Sequence, residues 1–97
     1  MTADIIHLDK ARDGRLRRTY GITVEDYDRM LHEQNGVCAG CGWKPGPGQR
    51  RLAVEHNHKT HKVRGLVCWK CNQAIKKLRD SSDIAYNLYL FLKRSGD

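Results

Sequence analysis

Apolar side chains along this chain change spacing twice, from helical to extended and back to helical. Val24, Tyr27, Met30 and Leu31 share one face of a helix. Thr23 and Asp26 form a capping-box pattern at its start, and Glu25 with Asp26 suits its positive end. Asn35-Gly36 stops it, with Gly36 in a left-handed conformation. A turn-rich loop, Pro45-Gly46-Pro47-Gly48, follows. Residues 52–56 and 63–67 read as two strands flanking a polar loop. A helix then places Asn72, Ile75 and Leu78 on neighbouring faces, with Lys76, Lys77 and Arg79 on its polar side. Asp80-Ser81-Ser82 breaks the chain and caps a closing helix. Its stripe of Ile84, Leu88, Phe91 and Leu92, at i, i+4, i+7 and i+8, is about what the domain needs to cover its own core. The expected class is α+β, a ββα unit with flanking helices.

Composition adds a size limit and a charge. Ninety-seven residues make one domain with a modest core, and at 39% apolar content such a core calls for a staple. The expected division is a basic arm over residues 1–20 and a folded domain over residues 21–97. The net charge of +7 points to a polyanion, most simply nucleic acid. No apolar run is long enough to span a bilayer, so no membrane partner is expected.

All four cysteines lie in two C-x-x-C knuckles, Cys38 with Cys41 and Cys68 with Cys71. Thiolates three residues apart take two corners of one tetrahedron, so the four read as a structural zinc site. Disulfides are the alternative. No apolar signal segment precedes the chain, so the reducing cytoplasm of a bacterial or phage-infected cell is expected.

Between the knuckles sits Val54-Glu55-His56-Asn57-His58-Lys59-Thr60. Hydrolysing a phosphodiester takes an activated water, charge neutralisation at phosphate and help for the leaving oxygen. Glu55 at a strand end and Asn72 in a helix's first turn suit a divalent cation, Mg2+ or another, that keeps most of its waters. His56 suits a general base, since imidazoles titrate near neutrality, and His58 suits substrate orientation or leaving-group assistance. Each has a plainer reading. Glu55 and His56 can be an exposed pair, Asn72 can satisfy knuckle backbone, and His58 and His61 can be loop histidines.

The combined pattern is more specific than its parts. Tyr20-Gly21-Ile22-Thr23, Gly36-Val37-Cys38 with Cys41, the Glu55–His56–His58 segment, Val63-Arg64-Gly65-Leu66-Val67-Cys68 and Cys71-Asn72 together resemble the HNH, or His-Me finger, nucleases. The resemblance is to the phage recombination endonuclease VII family above all. It implies a ββα-metal core in which His56 activates water, Glu55 and Asn72 hold the catalytic cation, and the four cysteines hold structural zinc. It also implies 5′-phosphate and 3′-hydroxyl ends. Glu55 stands where that family usually has aspartate, Asn57 replaces a common second acid, and His61 stands where a turn glycine is usual.

The expected function is a metal-dependent endonuclease that nicks or cleaves duplex DNA. Arg15, Arg17, Arg18, Arg50, Arg51, Lys59, Lys62, Arg64, Lys76 and Lys77 are its expected phosphate contacts. A phage packaging or recombination protein is a candidate partner. A monomer is expected, because the closing helix has little stripe to spare for a second copy. The rivals are a non-catalytic zinc DNA-binding module or packaging-machine subunit, a junction-resolving endonuclease, and a nuclease directed at RNA.

Overall fold

A computed structural model describes the backbone of residues 2–97 and side chains from Lys10 onward. Helix α1 spans Thr2–Tyr20 and α2 spans Val24–Glu33. A hairpin of β1 (Ala53–His56) and β2 (Val63–Val67) follows, then α3 (Trp69–Lys77) and α4 (Ser82–Lys93). The architecture is a small α+β fold with one two-stranded antiparallel sheet. Among the described residues no helix is long and apolar enough to cross a membrane.

The start of α2 is as its sequence dictates. The Thr23 hydroxyl accepts from the Asp26 N–H at 3.0 Å, and the Asp26 carboxylate accepts from the Thr23 N–H at 2.9 Å. Asp13, one helix earlier, accepts the Val24 N–H at 2.9 Å. Two carboxylates from different helices therefore serve the same positive helix end. The chain leaves α2 through left-handed Asn35 and Gly36, with φ of 57° and 75°.

The core gathers Leu16, Tyr27, Leu52, Val54, Leu66 and Val67 with the two buried cysteines, Cys38 and Cys68. Leu66 is its centre, with no exposed surface. The Tyr27 hydroxyl donates to the Leu52 carbonyl at 2.6 Å, tying α2 to the entry of the hairpin. The Gln34 side-chain amide pairs with Leu66 like an added strand, accepting its N–H and donating to its carbonyl, both at 2.9 Å.

The two ends of the chain differ from expectation. The basic segment is a helix, and its last two turns belong to the body: Leu16 is buried and Tyr20 packs against the core. Arg12 stacks on the Tyr27 ring at 4.6 Å from its centroid. The closing helix does not cover the core. Leu88, Phe91 and Leu92 are about half exposed, as are Tyr86, Tyr89 and Leu90, while Ile84 alone of the stripe is half-buried. The reason lies in what is already in place, because α1 packs on α2, α2 on β2 and α3 on β1. The left-handed pair Arg79 and Asp80, with φ of 53° and 58°, then turns α4 away from that closed core. The expectation of a monomer rests on this stripe being consumed at home, and that premise does not hold.

Candidate functional site

The knuckles bring the four cysteine sulfurs within 4.8 Å of one another. Cys41 Sγ and Cys68 Sγ lie 3.7 Å apart, which matches the edge of about 3.8 Å for a tetrahedron with zinc–sulfur bonds near 2.3 Å. Backbone N–H groups point at the sulfurs: Cys68 and Gly40 donate to Cys38 Sγ at 3.2 and 3.3 Å. A side chain at Gly40 would put its Cβ 3.0 Å from Cys71 Sγ, a tight contact that a glycine avoids. Burial works against ionising Cys38, but the backbone N–H groups of Cys41, Cys68 and Gly40 outweigh it and bring the thiol down to about 6. Burial and the neighbouring sulfurs push Cys71 up to about 12. Four thiolates in this space need a cation between them. The donor set, the spacing and the backbone donors fit a structural metal, and four thiolates in a tetrahedron suit zinc.

At the far end of the hairpin the register slips. Glu55 faces Gly65 and His56 faces Val63, so Arg64 is the extra residue of a bulge. Bulges re-aim side chains, and this one turns Arg64 onto the neighbouring strand. Its Nε donates to Glu55 Oε2 at 2.7 Å, and its Nη2 donates to Glu55 Oε1 and to Asp80 Oδ1. Glu55 is only 4% exposed, so a charge that would be costly alone is neutralised in place. The paired carboxylates hold the Arg64 guanidinium charged, raising it from its ordinary value.

Asp80 carries the network onward. Its Oδ2 accepts the His58 N–H at 3.1 Å and lies 3.4 Å from His58 Nδ1. The His58 N–H, then the Arg64 guanidinium, bring its carboxyl down to about 2. An imidazole carrying its proton on the nitrogen that faces this carboxylate presents Nε2 as an acceptor. A cavity of about 430 Å³ opens beside the network, lined by Glu55, Arg64 and Asp80 together with Ile75 of α3 and its C-cap residue Leu78.

His56 sits among aromatic rings. Its centroid lies 5.7 Å from Tyr20, 5.2 Å from His58 and 6.1 Å from His61. The loop that gathers these rings is tied by Asn57, whose side-chain oxygen accepts the N–H groups of Lys59 and Thr60 at 2.8 and 3.0 Å. His61 is left-handed, with φ of 63°, at the position where the resemblance leads one to expect a glycine. The hairpin end thus brings His56, His58 and His61 together and links Glu55 to His58 through Arg64 and Asp80.

Asn72 lies half-buried in the first turns of α3, and its N–H bonds the Cys68 carbonyl at 2.9 Å. Both oxygens of Glu55, one of the pair expected to hold a catalytic cation, accept from Arg64. Among the described residues the four cysteines form the only cluster of three or more metal-ligating His, Cys, Asp or Glu side chains. The expected phosphate contacts are all exposed: Arg15, Arg17, Arg18, Arg50, Arg51, Lys59, Lys62, Arg64, Lys76 and Lys77. Two of them are engaged in ion pairs, Arg17 with Asp13 at 2.6 Å and Arg64 with Glu55 and Asp80. Sequence reasoning passed over Asp80, reading it only as a helix break. Its one signal was an acid placed just after a helix whose charged residues are all lysines.

Residues 13–94 match the family described as recombination endonuclease VII. A stretch of 61 residues is 46% identical to the Gene 59 protein of Mycobacterium phage D29, covering 63% of this chain and 36% of that protein. A stretch of 59 residues is 44% identical to the Gene 59 protein of Mycobacterium phage L5, covering 61% and 35% respectively. The chain therefore spans little more than a third of the length of these curated relatives. With the family's match running from the second half of α1 to the end of α4, the chain belongs to the recombination endonuclease VII family.

Proposed function

We propose that this protein is a DNA endonuclease of the HNH, or His-Me finger, type, hydrolysing phosphodiester bonds on a ββα unit stapled by zinc. The observation that carries this reading is the family match over residues 13–94, which includes the whole hairpin and both knuckles. In this reading His56 takes the proton from the attacking water, and His58, steadied by Asp80, orients the phosphate or assists the leaving oxygen. The exposed lysines and arginines position the DNA without reading its sequence. The nuclease unit is assigned to residues 21–97, with the basic helix before it adding phosphate contacts. A divalent cation, magnesium or another, belongs to the reading only if Arg64 releases Glu55 to join Asn72 in holding it.

One observation favours the non-catalytic rival. Glu55 is fully partnered by Arg64, as a structural carboxylate would be. The family's name also brings in junction resolution as the more specific substrate. One experiment separates these readings. Zinc-loaded protein is incubated with supercoiled plasmid, a synthetic four-way junction and an RNA duplex, with and without added magnesium or manganese. The proposal predicts metal-dependent nicking of DNA and little action on RNA. Binding without cleavage under every metal would overturn it in favour of the zinc module.

A further inference from the structure

The chain has two tryptophans, and each sits at a knuckle: Trp43 two residues after Cys41, and Trp69 inside the second, directly after Cys68. Neither belongs to the core, and they are 41% and 58% exposed. Both line one cavity of about 370 Å³, together with Lys70 and the knuckle cysteines Cys41 and Cys68. Indoles are costly to leave in water, since each carries a large apolar face. Here the backbone fixes where they stand. The Trp43 carbonyl accepts the Cys38 N–H at 2.8 Å, and Trp69 opens α3 behind its cap residue, Cys68. The metal site therefore anchors the backbone of both tryptophans to one base.

We propose that this groove is a stacking clamp for an unpaired nucleobase, with Lys70 taking the adjoining phosphate. Three features select that occupant. Aromatic faces with an adjacent cation are how proteins hold single strands irrespective of sequence. Lys70 lines the groove and exposed Lys44 adjoins Trp43, on a chain of net charge +7, so the groove's surroundings complement a polyanion. Bases inside a duplex are already stacked and cannot enter, which makes the clamp a reader of unpaired DNA. Trp69 is also three residues from Asn72, a neighbour on the α3 surface. The clamp rests on the DNA-directed reading for its purpose, though not for its test.

The two tryptophans make the test direct, because all indole emission comes from the groove. Zinc-loaded full-length protein without added divalent metal is titrated with a single-stranded oligonucleotide, the matching duplex, and heparin as a base-free polyanion. Single strands should quench the emission strongly, the duplex weakly and heparin hardly at all. Trp69→Ala and Trp43→Ala should each lose about 5- to 100-fold in single-strand affinity, the effect of one lost stack, with duplex affinity unchanged within about twofold. Trp69→Phe should keep most of the affinity and guards against a folding defect in the alanine variant. Single-strand binding without quenching, or equal affinity in both alanine variants and wild type, would overturn the clamp and leave the groove to a protein partner. A protein that stacks single strands but nicks nothing would support the clamp while sinking the nuclease reading. One that nicks duplex without quenching would do the reverse.

Discussion

The two terminal helices carry opposite compositions and opposite fates. Helix α1 is rich in arginine, yet Leu16 and Tyr20, four residues apart, seat its second half on the core. Helix α4 is rich in leucine and aromatic residues, yet most of its large side chains are about half exposed. Apolar content alone therefore does not decide which helix is buried. α1 has a specific seat: Asp13 reaches the N-terminus of α2, Arg12 lies over Tyr27, and Leu16 enters the core. α4 is held mainly by its N-terminal end, where Ser81 caps it and Ala85 edges the cavity beside Asp80. One buried leucine in a prepared site outweighs a broad stripe with nothing opposite it.

The contrast can be broken at its floor first. Cys38 and Cys68 are core residues as well as metal ligands, so Cys38→Ser should remove the metal and the surface on which α1 and α2 rest. Loss of stoichiometric zinc and of cooperative unfolding in the purified variant is the expected result. Leu16→Ala should come next, costing about 2–5 kcal/mol in denaturant unfolding, as expected for a buried leucine. Acid should act on both the docked α1 and the turn into α4. Asp13 titrates below its ordinary value of 3.8 because it bonds Arg17 and the Val24 N–H, and Asp80 is lowered to about 2. Their contribution is complete above the unfolded value, near 3.8, and is lost as pH falls through the folded values. Denaturation midpoints should therefore drop between about pH 4 and pH 2, and Asp13→Asn should flatten that drop. The smallest effect belongs to α4, where Leu90→Ala should change stability by no more than about 0.5 kcal/mol. A loss matching that of Leu16→Ala would show that α4 is seated after all.

What the sequence disclosed follows the range of the rules involved. The capping box of Thr23 and Asp26, the stop at Asn35-Gly36, the second strand at Val63–Val67 and the paired knuckles are set by residues a few positions apart. Each was legible because local geometry decides it. The first strand begins one residue later than its pattern suggested, with Leu52 instead feeding the core and accepting from Tyr27. The burial of Leu16 was hidden because a single apolar side chain among arginines makes no stripe. The pairing of Arg64 with Glu55 was hidden because sequence does not mark the bulge that turns Arg64 onto the neighbouring strand. Asp80 was overlooked for a related reason: its partners His58 and Arg64 lie 22 and 16 residues away. The turn that aims α4 uses two left-handed residues, Arg79 and Asp80, neither of them a glycine or asparagine that would have announced it.

The central claim is that the histidines gathered at the hairpin end perform phosphodiester hydrolysis. The most direct measurement compares plasmid nicking by wild type and His56→Ala, both zinc-loaded and at DNA concentrations that saturate binding. Loss of a general base should lower the rate by about 100-fold or more while DNA affinity and zinc content stay at wild-type levels. Equal nicking by the two proteins would contradict the claim and place the chemistry elsewhere.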